Sequence, residues 1–310
     1  MSAPNQTTPH SRARHFTSYA CMLALLCASA AATAEEVTRQ HHGLTLNASL
    51  EQAPGKSLAD GVVLITHGGL AHRDMELITA LRSLLHQKGY NTLAINLSLG
   101  LNDRHGMYDC QQTHRHTNAD AAGEIGAWLD WLQQRGVRQV TLLGHSRGGA
   151  QTALYASEHR NPLVRNIVLI APAIRENTDA EEYQRRTHTP LAPVLAHAQQ
   201  LLQQGRGTAV LRPVGLLNCA GSSATATSFI SYYGTTAGLD TPSMIPQLRA
   251  PTLVVVAGSD EVVVGLADKV APLADGVRVQ MKVIEGADHT FRDLYAEDAI
   301  DAIDAFLKAN

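Results

Sequence analysis

The chain has 310 residues, of which 45% are hydrophobic and 5% aromatic, and a formal net charge of −3. That is enough to bury the core of one large domain or two small ones. A near-balanced charge with no long block of one sign excludes the usual footprint of a nucleic-acid binder and an acidic interaction tail.

The N-terminus reads as a targeting segment. Residues 1–34 contain Arg12 and Arg14 but no acidic residue; Tyr19 to Leu26 is apolar, and small residues follow down to Ala32-Thr33-Ala34, just before Glu35-Glu36. Basic region, short apolar region and A-x-A site, in that order, predict a secretory signal peptide cleaved after Ala34. The apolar stretch is short for a membrane span. The expected location is therefore secreted or periplasmic, with no stable membrane anchor after cleavage. Leu26 stands where a lipoprotein site before Cys27 needs a small residue, and Ala13 separates the two arginines, so no twin-arginine pair exists. Of the four cysteines, Cys110 and Cys219 would remain after cleavage. In an exported protein such a pair forms either a disulfide or two separate buried thiols, and spacing does not decide between them.

Further along, short apolar runs alternate with amphipathic stretches. Strands are expected at Leu44 to Leu50, Gly61 to Thr66, Asn91 to Leu97, Gln139 to Leu143, Asn166 to Ala171, Thr252 to Ala257 and Val277 to Ile284. Helices are expected at Met75 to Gln87, Ala121 to Gln134 and Ala296 to Lys308, each with apolar residues recurring on one face, at the helix-prone stretch Ala150 to His159, and at Val194 to Gln203. Continuous apolar strands separated by helices imply an α/β fold, a mostly parallel sheet covered on both faces. In such sheets ligands bind beyond the carboxyl ends of the strands. From about Ile174 to Pro246 no core strand appears. This stretch is too long for a simple connection and is expected to be an inserted lid.

One decapeptide carries most of the chemical information. Val140 to Gly149 reads V-T-L-L-G-H-S-R-G-G. A strand-prone run meets G-x-S-x-G and then a helix, which is the context of a nucleophile elbow with Ser146 at its apex. Gly144 and Gly148 are expected where side chains would collide. A serine hydroxyl needs a base to act as a nucleophile. Later strand ends supply Gly258-Ser259-Asp260-Glu261 and Gly286-Ala287-Asp288-His289. The order Ser146, Asp260, His289, with each residue following a strand, resembles the α/β-hydrolase superfamily in its esterase, lipase and serine-aminopeptidase-like branch, over residues 40 to 310.

That resemblance implies the following roles. Ser146 attacks an acyl carbon, His289 shuttles the proton, and Asp260 orients the imidazole. Glu261 and Asp288 suit solvated surface positions better, and Asp260 also has the place of a helix N-cap. Thr66-His67-Gly68-Gly69-Leu70 resembles the oxyanion loop of the family. The backbone N–H of Gly69, with Leu70 as the alternative, and that of Arg147 are the expected donors. The implied protein is an exported serine hydrolase cleaving carboxylic esters of small-molecule acyl substrates. A serine peptidase or thioesterase on the same residues, or a non-catalytic binding protein, are the alternatives. No cofactor or metal is implied, and no G-x-G-x-x-G lies between a strand and a helix. Asp103, His105, Asp109, Cys110, His114 and His116 form a histidine-rich segment that matches no zinc spacing and is expected to be a polar surface loop. Arg175, Arg185 and Arg186 in the inserted segment could meet an anionic substrate, but the expected reading is a solvated face.

Overall fold

Each run marked as an apolar strand between Leu44 and Ile284 forms one. The computed structural model describes residues 1–5, 34–175, 179–234 and 239–310; the expected signal peptide lies almost wholly outside them. The described residues from 34 onward belong to the larger of two structural units. In chain order the larger unit runs β1 (Glu35–His41), β2 (Leu44–Glu51), β3 (Val62–Thr66), α1 (Glu76–Gln87), β4 (Asn91–Asn96), α2 (Asn118–Gln134), β5 (Val140–His145), α3 (Arg147–Glu158) and β6 (Val164–Ile170). It continues with α4 (Asp179–Thr187), α5 (Leu191–Gln203), β7 (Val210–Leu211), β8 (Ala224–Thr225), α6 (Ala226–Tyr233) and α7 (Thr241–Met244). It ends with β9 (Thr252–Ala257), α8 (Leu266–Val270), β10 (Val279–Ile284) and α9 (Tyr295–Ala309).

The main sheet has the order β1-β2-β4-β3-β5-β6-β9-β10. The β1–β2 and β2–β4 pairs are antiparallel, and all others are parallel. The expected mostly parallel sheet flanked by helices is therefore present. Alternate residues of each strand serve the two faces. Leu64, Leu93 and Leu142 pack toward Trp128 and Leu132 of α2, whereas Ile65, Ala94 and Leu143 pack toward Leu81 of α1 and Ile303 of α9. Fully burying one such aliphatic side chain contributes roughly 1.5–3 kcal/mol.

Two boundaries differ from the sequence reading for physical reasons. Strand β1 has no apolar run, because it pairs only with β2 at the sheet edge and stays half-exposed. Helix α2 begins a turn earlier than its apolar stripe, since Thr117 and Asp120 form a capping box from polar residues.

Between β6 and β9 the chain leaves the sheet. Helices α4, α5 and α6 and the β7–β8 pair gather around Tyr183, Leu201, Leu211, Leu216 and Phe229, a small core of their own. This insertion is tied to the segment after β4. Cys110 and Cys219 form a disulfide. The His114 N–H donates to Ser223 O at 2.8 Å, and the Thr225 N–H donates to His114 O at 2.9 Å.

Candidate active site

Strand β5 is buried along its whole length between β3 and β6 and delivers the chain to Ser146. There the backbone turns through φ 56°, ψ −126°, and α3 begins at the next residue. A non-glycine residue held at such a φ is strained and persists only when its surroundings fix it. Here the Ser146 N–H donates to Ile170 O at 2.9 Å, and the Ser146 carbonyl accepts from Ala150 and Ala173 N–H. Both flanking glycines are needed for close approach. A Cβ on Gly144 would lie 2.5 Å from Gly148 O, and one on Gly148 would lie 2.2 Å from His67 O.

Strands β9 and β10 are parallel neighbours with Ala257 opposite Ile284. Their following loops are laced together by Gly258 N–H to Ile284 O and Ser259 N–H to Ala287 O. This register brings Asp260 to His289. His289 Nδ1 lies 2.8 Å from Asp260 Oδ2, and His289 Nε2 lies 2.9 Å from Ser146 Oγ. With Nδ1–H donated to the carboxylate, Nε2 keeps its lone pair for the serine proton. Asp260 Oδ1 also accepts the Val262 and Val263 N–H groups at 2.7 and 2.8 Å, so its place before a turn and its bond to histidine coexist. Burial opposes ionisation of this carboxyl. The bonds from His289, Val263 and Val262 prevail, and its pKa is held below the ordinary carboxylate value.

The loop after β3 approaches Ser146 from the other side. A Cβ on Gly68 would fall 2.8 Å from Ser146 Cβ. The Gly68 carbonyl accepts the Ala71 N–H at 3.1 Å and lies 3.2 Å from His67 Nδ1, which fixes the peptide whose far end is the Gly69 N–H. His67 Nε2 in turn accepts from Leu97 N–H and from Arg104. The N–H groups of Gly69, Leu70 and Arg147 find no acceptor among the described residues. Arg147 opens α3, where first-turn donors lack intrahelical partners. A cavity of about 410 Å³ opens beside Ser146 and His289, lined largely by apolar side chains including Leu70, Met75, Leu77, Ile78, Met107 and Phe291. A hydroxyl, an imidazole and a carboxylate hydrogen-bonded in line, with free N–H groups beside a cavity, form an arrangement that could carry out acyl transfer.

A family model described as the alpha/beta hydrolase fold matches residues 61–206. Among solved structures, Est1E from Butyrivibrio proteoclasticus is 18% identical with a TM-score of 0.62, covering 88% of this chain and 98% of its own. Dienelactone hydrolase from Anabaena variabilis is 18% identical with a TM-score of 0.54, covering 90% and 98%. The hydrolase GrgF from a Penicillium species is 15% identical with a TM-score of 0.64, covering 89% and 98%. The chain has the α/β-hydrolase fold. No curated protein matches it in sequence.

Around Ser146 and His289 lie further buried polar residues, of which the sequence reading assigns a structural role to His145 alone. His145 is buried; its Nε2–H donates to the His289 carbonyl at 2.8 Å and so holds the loop that carries His289. Arg104 is buried beside His67, and Glu124 accepts from both the N–H and the hydroxyl of Ser98. Burial pushes the Glu124 carboxyl up to about 7. Glu261 is exposed, and Asp288 binds Thr290 rather than His289. The histidine-rich segment is only partly a surface loop: His105 is exposed, but His114 and His116 are buried under the insertion. His114 Nδ1 meets His116 Nε2 at 3.0 Å, and His116 Nδ1 meets the Tyr232 hydroxyl at 2.7 Å. No cluster able to hold a metal ion occurs among the described residues.

These buried histidines set a pH limit on the fold. Burial lowers His67 and His116 to about 3 and His114 and His145 to about 4. The unfolded chain takes up protons near 6.5 while the folded chain stays neutral, so the unfolded state binds more protons as pH falls. Stability should therefore drop from about pH 6.5 downward, by up to roughly 1.4 kcal/mol per pH unit for each histidine. The raised pKa of His105, paired with Glu36, acts in the opposite direction, but that pair is exposed and weak. A calorimetric Tm that stays flat between pH 7 and pH 5 would contradict this.

Proposed function

We propose that this protein is an exported serine hydrolase that cleaves carboxylic esters through an acyl-enzyme. The supporting observation is the hydrogen-bonded line Ser146–His289–Asp260 at the mouth of the apolar cavity. Ser146 Oγ attacks the acyl carbon as His289 Nε2 accepts its proton. The imidazolium is stabilised by Asp260 and passes the proton to the leaving alcohol. Water, activated by the same nitrogen, then releases the acid. The Gly69 and Arg147 N–H groups are assigned to the oxyanion. Gly69 is favoured over Leu70 because its peptide is clamped through the Gly68 carbonyl. One such donor contributes roughly 10²–10³ in turnover.

The cavity volume sits at the small end of ligand pockets, which favours monomeric esters with a modest apolar group over polymers. The insertion at about 174–246 serves as a lid over this centre. Export is supported by the signal-like residues 1–34 and by the Cys110–Cys219 disulfide, a bond of oxidising compartments. No helix among the described residues is long and apolar enough to cross a membrane.

A fluorophosphonate probe followed by peptide mass mapping, together with 4-nitrophenyl esters of graded acyl length, tests this reading. We expect a single adduct at Ser146 and turnover of short to medium esters above matched anilides. Absence of any adduct would favour a binding protein on a hydrolase scaffold. Anilides or thioesters outpacing esters would favour the peptidase or thioesterase alternative.

A further inference from the structure

A second cavity, of about 130 Å³, is lined by Arg147, the residue after Ser146, and shares no lining residue with the apolar one. The loop after β3 borders the apolar cavity and the loop after β6 borders this one; those two strands flank β5 on opposite sides. The connection to the nucleophile is short. Arg147 follows Ser146 directly, and Ala173, which lines the second cavity, donates its N–H to the Ser146 carbonyl at 3.0 Å.

Among the described residues its lining holds the arginines Arg147, Arg175 and Arg186 and the acid Glu182; Arg175 is already engaged, its Nη2 donating to Gly234 O at 3.1 Å. Two consecutive tyrosines of α6 position two of the guanidiniums. Arg147 lies 5.3 Å over the ring of Tyr232, and Arg186 Nη2 donates to the Tyr233 hydroxyl at 3.2 Å. The Arg147 guanidinium has no hydrogen bond or ion pair among the described residues. Arg186 Nε is buried without a partner there. Glu182 touches Arg186 at 3.4 Å, but its side chain is 54% exposed and neutralises little. Arg185, by contrast, is exposed away from the cavity, as a solvated face requires. Cations gathered in a small half-buried space repel one another and lose hydration. An anion that accepts from two guanidiniums relieves both costs, and a carboxylate matches their planar donors.

We propose that this cleft is an anion subsite that holds a carboxylate borne by the ester itself. The substrate class is then an ester with an apolar group on one side of the scissile bond and a carboxylate on the other. This rests on the ester-hydrolase reading above and narrows it.

Two matched pairs test it: phenyl acetate against 4-acetoxybenzoate, with the charge on the leaving group, and 4-nitrophenyl butyrate against mono-4-nitrophenyl succinate, with the charge on the acyl group. In one pair, Arg186→Met should lower kcat/KM for the anionic ester at least about tenfold, mainly through KM, while the neutral partner changes less than about twofold. Arg186→Lys should recover part of the loss. Glu182→Gln, an exposed substitution, should lower the KM of the same anionic ester. Arg186→Met and Glu182→Gln acting equally on the charged and neutral members of both pairs would overturn the subsite. So would inhibition of neutral-ester turnover by free benzoate that is lost in Arg186→Met, if no anionic ester were discriminated. If neither neutral nor anionic esters turn over in the native protein, the ester-hydrolase reading itself fails.

Discussion

Ser146→Ala should reduce ester turnover by about 10⁶-fold and leave Tm almost unchanged. The magnitude follows from nucleophile and base acting as one unit, so that loss of either removes covalent catalysis entirely. What survives is the contribution of oxyanion donors and binding, roughly 10³–10⁴ over water. The small effect on stability follows from local geometry. The Ser146 side chain makes no cap hydrogen bond to α3, and among the described residues its hydroxyl meets only His289 Nε2. Alanine at φ 56° carries much the same backbone strain as serine, and the bonds through Ser146 N–H and C=O persist. Calorimetry and initial rates on the same preparation separate the two effects. If the alanine variant kept more than about one hundredth of native turnover, the chemistry would have to be moved to another nucleophile.

The parts of this centre that were legible in the sequence share one property: each is announced by its own neighbours. Ser146 sits between two glycines that the tight turn demands, at a boundary where strand period gives way to helix period. Asp260 and His289 follow apolar runs that could only be buried strands. Parallel neighbours β9 and β10 then bring those strand ends together without further instruction. Where a residue's role depends on packing between distant segments, the sequence is silent. Arg104 and Glu124 look like ordinary surface charges, and only the folded loop after β4 buries them behind His67 and Ser98. The burial of His114 and His116 is set by the insertion closing over them, which no local pattern announces. The same holds for Cys110 and Cys219, whose pairing depends on where two loops meet. The arginines of the insertion lean toward a solvated face in the sequence, and only the packing of α6 places Arg186 at Tyr233 in the cavity that Arg147 also lines.

Asp260→Asn should cost about 10⁴ in kcat at neutral pH, far more than the loss of one hydrogen bond. The reason lies in the two halves of this carboxylate. Oδ1 is engaged by the N–H groups of Val262 and Val263, both of which need an acceptor. An asparagine in the same place must therefore keep its carbonyl oxygen there and turn its NH₂ toward His289 Nδ1. A donor facing Nδ1 forces the imidazole proton onto Nε2, the nitrogen that faces Ser146 Oγ at 2.9 Å. The base then presents a proton instead of a lone pair. The fold should be retained, because size and backbone bonds are preserved, and fluorophosphonate labelling should slow in parallel with kcat. The neighbouring acids provide the contrast. Glu261 is exposed and Asp288 is engaged with Thr290, so Glu261→Gln and Asp288→Asn should each leave kcat within about threefold. A loss of less than about a hundredfold in Asp260→Asn, or a large loss in either neighbour, would remove Asp260 from the orienting role.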